Sequence, residues 1–406
     1  MTKYIKSFSD IVTMSGGSAK YVLGSNGLIG SVTANTPAYE YDANGTALGW
    51  LLEGARTNSC TYSADVSHAN WTKTATITAD NAVAPDGTTT ADKVEDSDVS
   101  DRKVVYQNVT IPNDGSTWTA SIYIKKSATS LAAVQFQVYN GTPISHAIAF
   151  DTTNGNWECA SSIGTRPADS QVHITDCGTY YRVGVSLVNN STGNTVARFN
   201  VLPAYATTLA TDTPHVDSLT GSIWVWGAQV EAGAFPSSYI PTTSATVTRA
   251  SDLARILDVT WLSQSAGSIY VEARPLVTAL LGTSVRVLAL TNASSDDMLV
   301  RHEANRLLSL DLWNNSAWQA QVQPANAYTD GSYFKFAAAW EANDFAAVTD
   351  GGTPATDTSG TTSAVNAVHI GTNGYMAASE VWFGHFKNFQ HIPTRLPNST
   401  LVALTT

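Results

Sequence analysis

The chain reads as an all-β protein built of two antiparallel β-sandwiches, and three observations predict it. Charged residues make up only 14% of the 406, against 43% hydrophobic, where soluble domains carry roughly 25% charge. Thr, Ser, Ala, Asn and Gly fill the difference, as on sheet surfaces. Apolar residues recur at every second position through most of the sequence, the period of a strand with one buried side. Turn signals such as Asn140-Gly141, Asn154-Gly155 and Asp350-Gly351-Gly352 separate these runs, and no long amphipathic helical pattern competes with them.

The elements follow in order. Residues 1–45 are rich in Gly and Ser and too short to bury a core of their own, which predicts an attachment segment that orders mainly on assembly. A first sandwich over 46–249 begins after it. In WTASIYIK, Trp118, Ala120, Ile122 and Ile124 share one face, and Thr119, Ser121, Tyr123 and Lys125 share the other. In YRVGVSL, Tyr181, Val183, Val185 and Leu187 alternate with Arg182, Gly184 and Ser186. AAVQFQVYNG and HAIAFDTTNGNWECA read as strands joined by tight turns. GSIWVWGAQVE places Trp224, Trp226, Ala228 and Val230 on one face and Ile223, Val225, Gly227 and Gln229 on the other; with apolar groups on both, it should be a central strand.

The string that follows, AFPSSYIPTTSATVTRASD, cannot continue as a strand, because Pro236 and Pro241 remove backbone donors and hold their predecessors extended. It reads as a linker docked along a domain surface through Phe235, Tyr239 and Ile240. A second sandwich over 250–406 restarts the alternation in GSIYVEARP, RVLALTN, RLLSLDLWNNSAWQAQVQ (with an Asn314-Asn315 turn), SYFKFAAAW, DFAAVTDGG and EVWFGHFKNFQHIP. Short helices are expected around 252–262 and 395–404.

Several function classes find no support. The net charge is −11 and Lys and Arg are nowhere clustered, against a nucleic-acid partner. The N-terminus lacks the apolar stretch of a signal peptide and no run of ~18 apolar residues occurs, so neither export nor membrane insertion is expected and synthesis in a cytoplasm is. Cys60, Cys159 and Cys177 lack metal-ligand spacing and read as buried free thiols rather than a disulfide framework, although Cys159 and Cys177 could sit on paired strands. No phosphate loop, dinucleotide fingerprint, G-x-S-x-G elbow or H-x-x-x-H pair is present, so no cofactor or metal is expected. His146, His173, His302, His369, His385 and His391 read as strand or loop residues. NDGSTW at 113–118 is a turn before a strand. Glu95, Asp96, Asp98 and Asp101 cluster in EDSDVSD; the loop lacks the Gly and terminal Glu of an EF-hand and reads as a solvated acidic loop, with calcium as the alternative.

Sugar binding needs aromatic rings to stack on sugar faces and planar polar groups to fix hydroxyls. Trp71, Tyr106, Tyr123, Tyr139 and Trp157 are the candidates, because their positions face the polar side of a strand or lie near turns; for each, packing in a core is the competing role. Glu53, Arg56 and Asn58 in GWLLEGARTN read as hydrogen-bonding residues that tie the start of the first sandwich, not as ligand contacts.

GWLLEGARTN (49–58), NWTKTATITADNAVAPDGTTTADKV (70–94), WTASIYIK (118–125) and WGAQVEAGAFPSSYIPTTSATVTRASD (226–252) together resemble a module of tailed-bacteriophage head-fibre, tail-fibre and carbohydrate-binding virion proteins. The lead-in SFSDIVTMSGGSAKYVLGSNGLIGSVTANTPAYEYD extends the similarity to roughly residues 1 to 252. The resemblance implies a jelly roll like those of carbohydrate-binding modules. SIYVEARP, FAAAWEANDFAAVTDGG and GHFKNFQHIPTRLPNSTLVALT resemble the concanavalin A-like sandwiches that end the same proteins, except that His391 stands where a tyrosine is frequent.

The resemblance therefore implies a virion-surface structural protein, an accessory fibre, spike or decoration subunit. Its partners would be phage capsid or tail proteins and host-surface polysaccharide, and its state a homotrimer. Concanavalin-like glycan hydrolases carry an E-x-D-x-x-E strand, which is missing. A depolymerase would have to gather carboxylates from separate strands, with Glu272, Asp311 and Glu380 as candidates, so a non-catalytic protein is expected. A capsid cement protein that binds no glycan is the third reading.

Overall fold

The computed structural model describes residues 11–15, 17–127, 131–276, 285–292, 297–303, 305–314, 316–329, 331–362, 364–372 and 381–406. Residues 1–10 of the expected attachment segment, Asn315 and Glu380 lie outside the described residues. Among the described residues the secondary structure is almost wholly antiparallel strands in two sandwiches, and no helix is long and apolar enough to cross a membrane.

The first sandwich has two six-stranded sheets. One, the junction sheet, runs Val172–Asp176, Tyr180–Val188, Thr117–Lys125, Gly221–Ala232, Ala91–Asp96, Thr76–Ala82. The other, the distal sheet, runs Trp157–Cys159, Ile144–Phe150, Leu131–Tyr139, Val196–Ala206, Val105–Thr110, Thr72–Lys73. Setting the flanking strands aside, the first, eighth, third and sixth strands in chain order share the junction sheet and the second, seventh, fourth and fifth share the distal sheet. That interleaving is a jelly roll. The expected inward rows Trp118, Ala120, Ile122, Ile124 and Tyr181, Val183, Val185, Leu187 meet Val134, Phe136 and Val138 in its core.

Gly221–Ala232 is central, as its two apolar faces predict, but its parity is not the expected one. Ile223, Val225, Ala228 and Val230 face the core, while Trp226 points the opposite way into a cluster with Tyr123 and Tyr239. A bulge shifts the phase: Ser121 pairs with Gln229 but Tyr123 with Trp226. Gly227 carries the extra residue at φ 67°, a left-handed conformation that glycine adopts without strain.

The second sandwich also has two seven-stranded sheets. One runs Thr13–Ser15, Leu253–Ile256, Ala367–Ile370, Val285–Thr291, Asp297–His302, Leu308–Asn314, Ala317–Val322; the other runs Ala355–Asp357, Asp344–Thr349, Phe334–Glu341, Ala266–Pro275, Gly384–Ile392, Ala47–Leu52, Tyr39–Tyr41. The helix Asn398–Thr405 lies where the sequence places one, with Leu401 buried against Tyr270, Ala337 and Val348. The helix expected over 252–262 is instead the strand Leu253–Ile256. Ala254 and Ile256 are buried in the core and the backbone pairs with strands on both sides, so ladder hydrogen bonds and alternation override a weak helical preference.

Residues 13–52 do not stand apart from this second sandwich. Thr13–Ser15 extends one of its sheets and Tyr39–Tyr41 and Ala47–Leu52 extend the other, Leu51 pairing with His385 and Trp50 with Phe386. Met14, Trp50 and Leu52 are part of its core, and that burial orders a segment whose own core is too small. The hydrogen bonding thus divides the chain differently from the linear segments 1–45, 46–249 and 250–406. The jelly roll is inserted between Leu52 and Leu253 of the second sandwich, and it leaves and returns through a two-stranded neck in which Arg56–Asn58 pairs with Val247–Arg249.

Candidate functional site

The distal sheet presents an outward face that alternation makes polar. Val105, Phe136, Phe199 and their row neighbours point to the core, so Tyr106, Asn108, Gln135, Gln137, Tyr139, Arg198 and Asn200 point away from it. Register brings them side by side: Asn108 and Gln137 flank Arg198, while Tyr106 and Gln135 flank Asn200. The Arg198 guanidinium lies between two tyrosine rings, its carbon 4.3 Å from the centre of Tyr106 and 4.9 Å from that of Tyr139. Its Nε donates to Asn108 Oδ1 at 2.8 Å and its Nη2 to the Tyr139 hydroxyl at 3.0 Å. Asn200 donates to Gln135 at 2.8 Å, and Gln135 donates to Ser145 Oγ at 2.9 Å and to the Ile163 carbonyl. Tyr106, Tyr139 and Arg198 are half-buried and Asn108 is exposed. Around Arg198 the result is two aromatic rings and fixed planar polar groups reached by solvent, while Asn200 beside them is buried.

Of the five aromatic candidates, only Tyr106 and Tyr139 come together. Trp71 is 2% exposed, within the jelly-roll core, and donates its Nε1 hydrogen to the Tyr62 carbonyl at 3.2 Å. Tyr123 is 4% exposed, because the supposedly open face of WTASIYIK is covered. Thr119 donates to the Gly233 carbonyl at 2.8 Å, Ser186 to the Ala234 carbonyl at 3.0 Å, and Gln229 accepts the Ile240 N–H at 2.8 Å, so the segment after Ala232 docks along that whole face. Phe235, Tyr239 and Ile240 are buried in it, as expected. Trp157 sits on the sheet's edge strand and packs against the core, with the Arg166 guanidinium 5.0 Å from its ring. Sequence reading missed Arg198, Asn108 and Gln137; alternation in VARFNVLPAYA marks Arg198 as outward, but only the register sets it between the two tyrosines.

Glu53, Arg56 and Asn58 lie in the neck, away from this face. The Glu53 carboxylate is fully buried; it accepts the backbone N–H and the hydroxyl of Ser238 at 2.8 and 2.7 Å and lies 3.0 Å from Arg249 and 3.6 Å from Lys20. Burial alone would push its pKa up, but Arg249, Lys20 and the two Ser238 hydrogen bonds outweigh it and hold the group at about 2. Lys20 also pairs with Asp252, whose carboxylate accepts the Glu53 N–H at 2.8 Å. Arg56 reaches Glu231 at 3.6 Å and stacks on Phe235 and, 4.7 Å away, on Phe383 of the second sandwich. Asn58 donates to the carbonyls of Ala228 and Ile240 at 3.0 and 2.9 Å.

Other sequence candidates fall into place singly. In the acidic loop, Lys103 lies 2.7 Å from Asp98 and 3.8 Å from Asp101, Asp96 accepts the N–H groups of Asp98 and Lys103, each at 2.9 Å, and Glu95 pairs with Lys93. A lysine ammonium thus stands among the oxygens that a calcium ion would need. Glu272 and Asp311 do not converge: each lies between core-facing neighbours on a different sheet of the second sandwich, so they project from opposite outer surfaces, paired with Lys387 at 3.1 Å and Arg301 at 2.7 Å. Cys60, Cys159 and Cys177 are buried and free, and burial lifts the Cys60 and Cys177 thiols to about 12. His391 lies between the rings of Trp261 and Trp340, and burial lowers it to about 4.

No protein-family model matches the chain, and no curated protein does. Among solved structures it is similar to the native heptameric SAP-like pentraxin from Limulus polyphemus, at 12% identity over 36% of this chain and 73% of that one, with a TM-score of 0.27. It is also similar to the CBM40 of the Ruminococcus gnavus IT-sialidase bound to α2,3-sialyllactose, at 14% identity over 36% of this chain and 84% of that one, with a TM-score of 0.31. A third is the enzymatically active domain of tailspike protein 4 from bacteriophage CBA120, at 13% identity over 43% of this chain and 21% of that one, with a TM-score of 0.27. Similarity of this extent assigns nothing to individual residues of this chain.

Proposed function

We propose that the chain is a glycan-binding structural subunit of a tailed-phage virion, an accessory fibre, spike or decoration subunit that offers its distal sheet to host-surface polysaccharide. The observation that carries the glycan reading is the Tyr106, Arg198, Tyr139 stack on an open sheet face. Its rings offer apolar faces to sugar C–H groups, and the Arg198 and Asn108 side chains, already fixed by a hydrogen bond to each other, offer planar donors and acceptors to hydroxyls at little ordering cost. Virion placement is supported by the sequence resemblance alone. A homotrimer would present three such faces together and raise a weak contact to useful avidity.

The test is binding of the purified full-length protein to host envelope polysaccharide, with release of reducing ends followed in the same tube. Saturable binding without new reducing ends, weakened by Tyr106→Ala and by Tyr139→Ala, is the expected outcome. Binding that survives both substitutions would move the site off the distal sheet. Release of reducing ends would favour the depolymerase, and absence of binding the capsid cement protein.

A further inference from the structure

Two of the described arginines expose less than a tenth of their surface, Arg182 and Arg249. Arg249 is answered by Glu53 at 3.0 Å. Arg182, among the described residues, makes no ion pair: Nη1 donates to the Ser237 carbonyl, Nη2 to Ser121 Oγ at 3.1 Å, the guanidinium carbon lies 5.3 Å from the Tyr123 ring centre, and Nε has no hydrogen-bond partner. Taking a guanidinium out of water without a counter-charge is costly, and neutral oxygen acceptors return only part of that cost.

Arg182 lines a cleft of about 300 Å³ between the two sandwiches, with Tyr21 and Glu40 on the N-terminal wall, His173 on the jelly-roll wall and Pro236 on the connector. The two carboxylates in the same cleft are already engaged, Glu40 with His385 at 2.7 Å and Glu53 with Lys20 and Arg249. His173 is neutral at physiological pH, since burial and the nearby Arg182 lower it to about 4. Arg182 is thus the one Lys or Arg side chain lining the cleft, and among the described residues no carboxylate reaches it. Its volume is at the lower end of the roughly 300–1,000 Å³ of ligand pockets, the space of one sugar ring rather than a chain.

We propose that this cleft is a second ligand site, separate from the distal sheet, which takes a single carboxylate-bearing sugar of the hexuronate class, with the carboxylate on Arg182 and the ring against Tyr21 and Pro236. A guanidinium is the side chain best matched to a carboxylate, by charge and by its planar array of donors. Because the cleft walls come from both sandwiches and the connector, an occupant would also brace the junction.

The experiment is isothermal titration calorimetry on the full chain with sodium D-glucuronate and sodium D-galacturonate. D-Glucose controls for the ring alone and acetate for the carboxylate alone. The expected result is one-site binding of a hexuronate that is at least tenfold tighter than either control, at least tenfold weaker in Arg182→Gln, and unchanged in Arg198→Gln on the distal sheet. Thr175→Trp, which adds bulk at the exposed rim beside Arg182 while keeping the arginine itself, should also abolish binding, and it decides the matter if Arg182→Gln does not fold. Absence of hexuronate binding, acetate binding as tightly, or unchanged affinity in a folded Arg182→Gln or Thr175→Trp protein overturns the proposal. Loss confined to Arg198→Gln overturns it too and assigns the sugar to the distal sheet.

Discussion

Glu53 and Ser238 meet through two hydrogen bonds, 2.8 and 2.7 Å long, with the whole jelly roll lying between them in the sequence. One carboxylate, held also by Arg249 and Lys20, closes the loop that the inserted sandwich makes.

Replacing Glu53 should therefore destabilise the protein strongly. Glu53→Gln leaves Arg249 and Lys20 buried without their shared counter-charge and is expected to cost about 3–5 kcal/mol, read by denaturant unfolding at pH 7. A melt within 1 kcal/mol of wild type, by the same order-of-magnitude scale, would show that the hub contributes little.

The same group sets an acid dependence. Its folded pKa of about 2 lies below the 4.5 of an unperturbed glutamate, so its contribution is complete above the unfolded pKa and is lost as pH falls from there through the folded value. Stability should drop by about 3 kcal/mol across that window from this group alone, and the drop should be smaller by that amount in Glu53→Gln. Parallel acid titrations of the two proteins would contradict the assignment.

Gly227 should resist substitution. Gly227→Ala must hold φ 67° with a side chain and place its Cβ 2.9 Å from Tyr123 Cδ2, which predicts a loss of about 1–3 kcal/mol. A neutral substitution, measured by thermal unfolding, would mean that the bulge can move.

The aromatic candidates should separate cleanly. Tyr139→Ala is expected to lower polysaccharide affinity about tenfold, equivalent to about 1.4 kcal/mol, while leaving unfolding nearly unchanged. Trp71→Ala should destabilise by about 3–5 kcal/mol through the cavity it leaves. The opposite pattern would exchange their roles.

The N-terminal strands should be protected in the free monomer. Residues 20–52 carry the hairpin Lys20–Leu23 and Ile29–Val32 and two strands of the second sandwich, so limited proteolysis should leave them intact. Deleting residues 1–45 removes buried Met14, Val22, Leu23 and Ile29 together with Lys20, and should cost more than about 3 kcal/mol. Rapid cleavage within 20–45 in the monomer would restore the expectation that this segment orders only on assembly.

Strand positions were legible in the sequence because alternation is local: Trp118, Ala120, Ile122 and Ile124 face the core as their spacing requires. Parity beyond Gly227 was not, since a one-residue bulge leaves no mark except a glycine that a strand also tolerates. Membership of Thr13–Ser15 and Ala47–Leu52 in the second sandwich was hidden for a different reason: pairing between residues more than 200 positions apart, such as Thr13 with Arg255 or Leu51 with His385, has no local signature. The site shows the same limit. Tyr106, Tyr123 and Tyr139 all occupy polar-side positions, and what buries Tyr123 is a connector that docks from another part of the chain.

Insertion of the jelly roll has a mechanical meaning. Tension applied between Thr13 and Ile392 is carried by the ladders of the second sandwich and bypasses the jelly roll, whose two chain ends both leave through the neck at Arg56–Asn58 and Val247–Arg249. A load hung on the distal sheet instead pulls on that neck, so its three register pairs and the Glu53 carboxylate form the coupling that gives way first or holds.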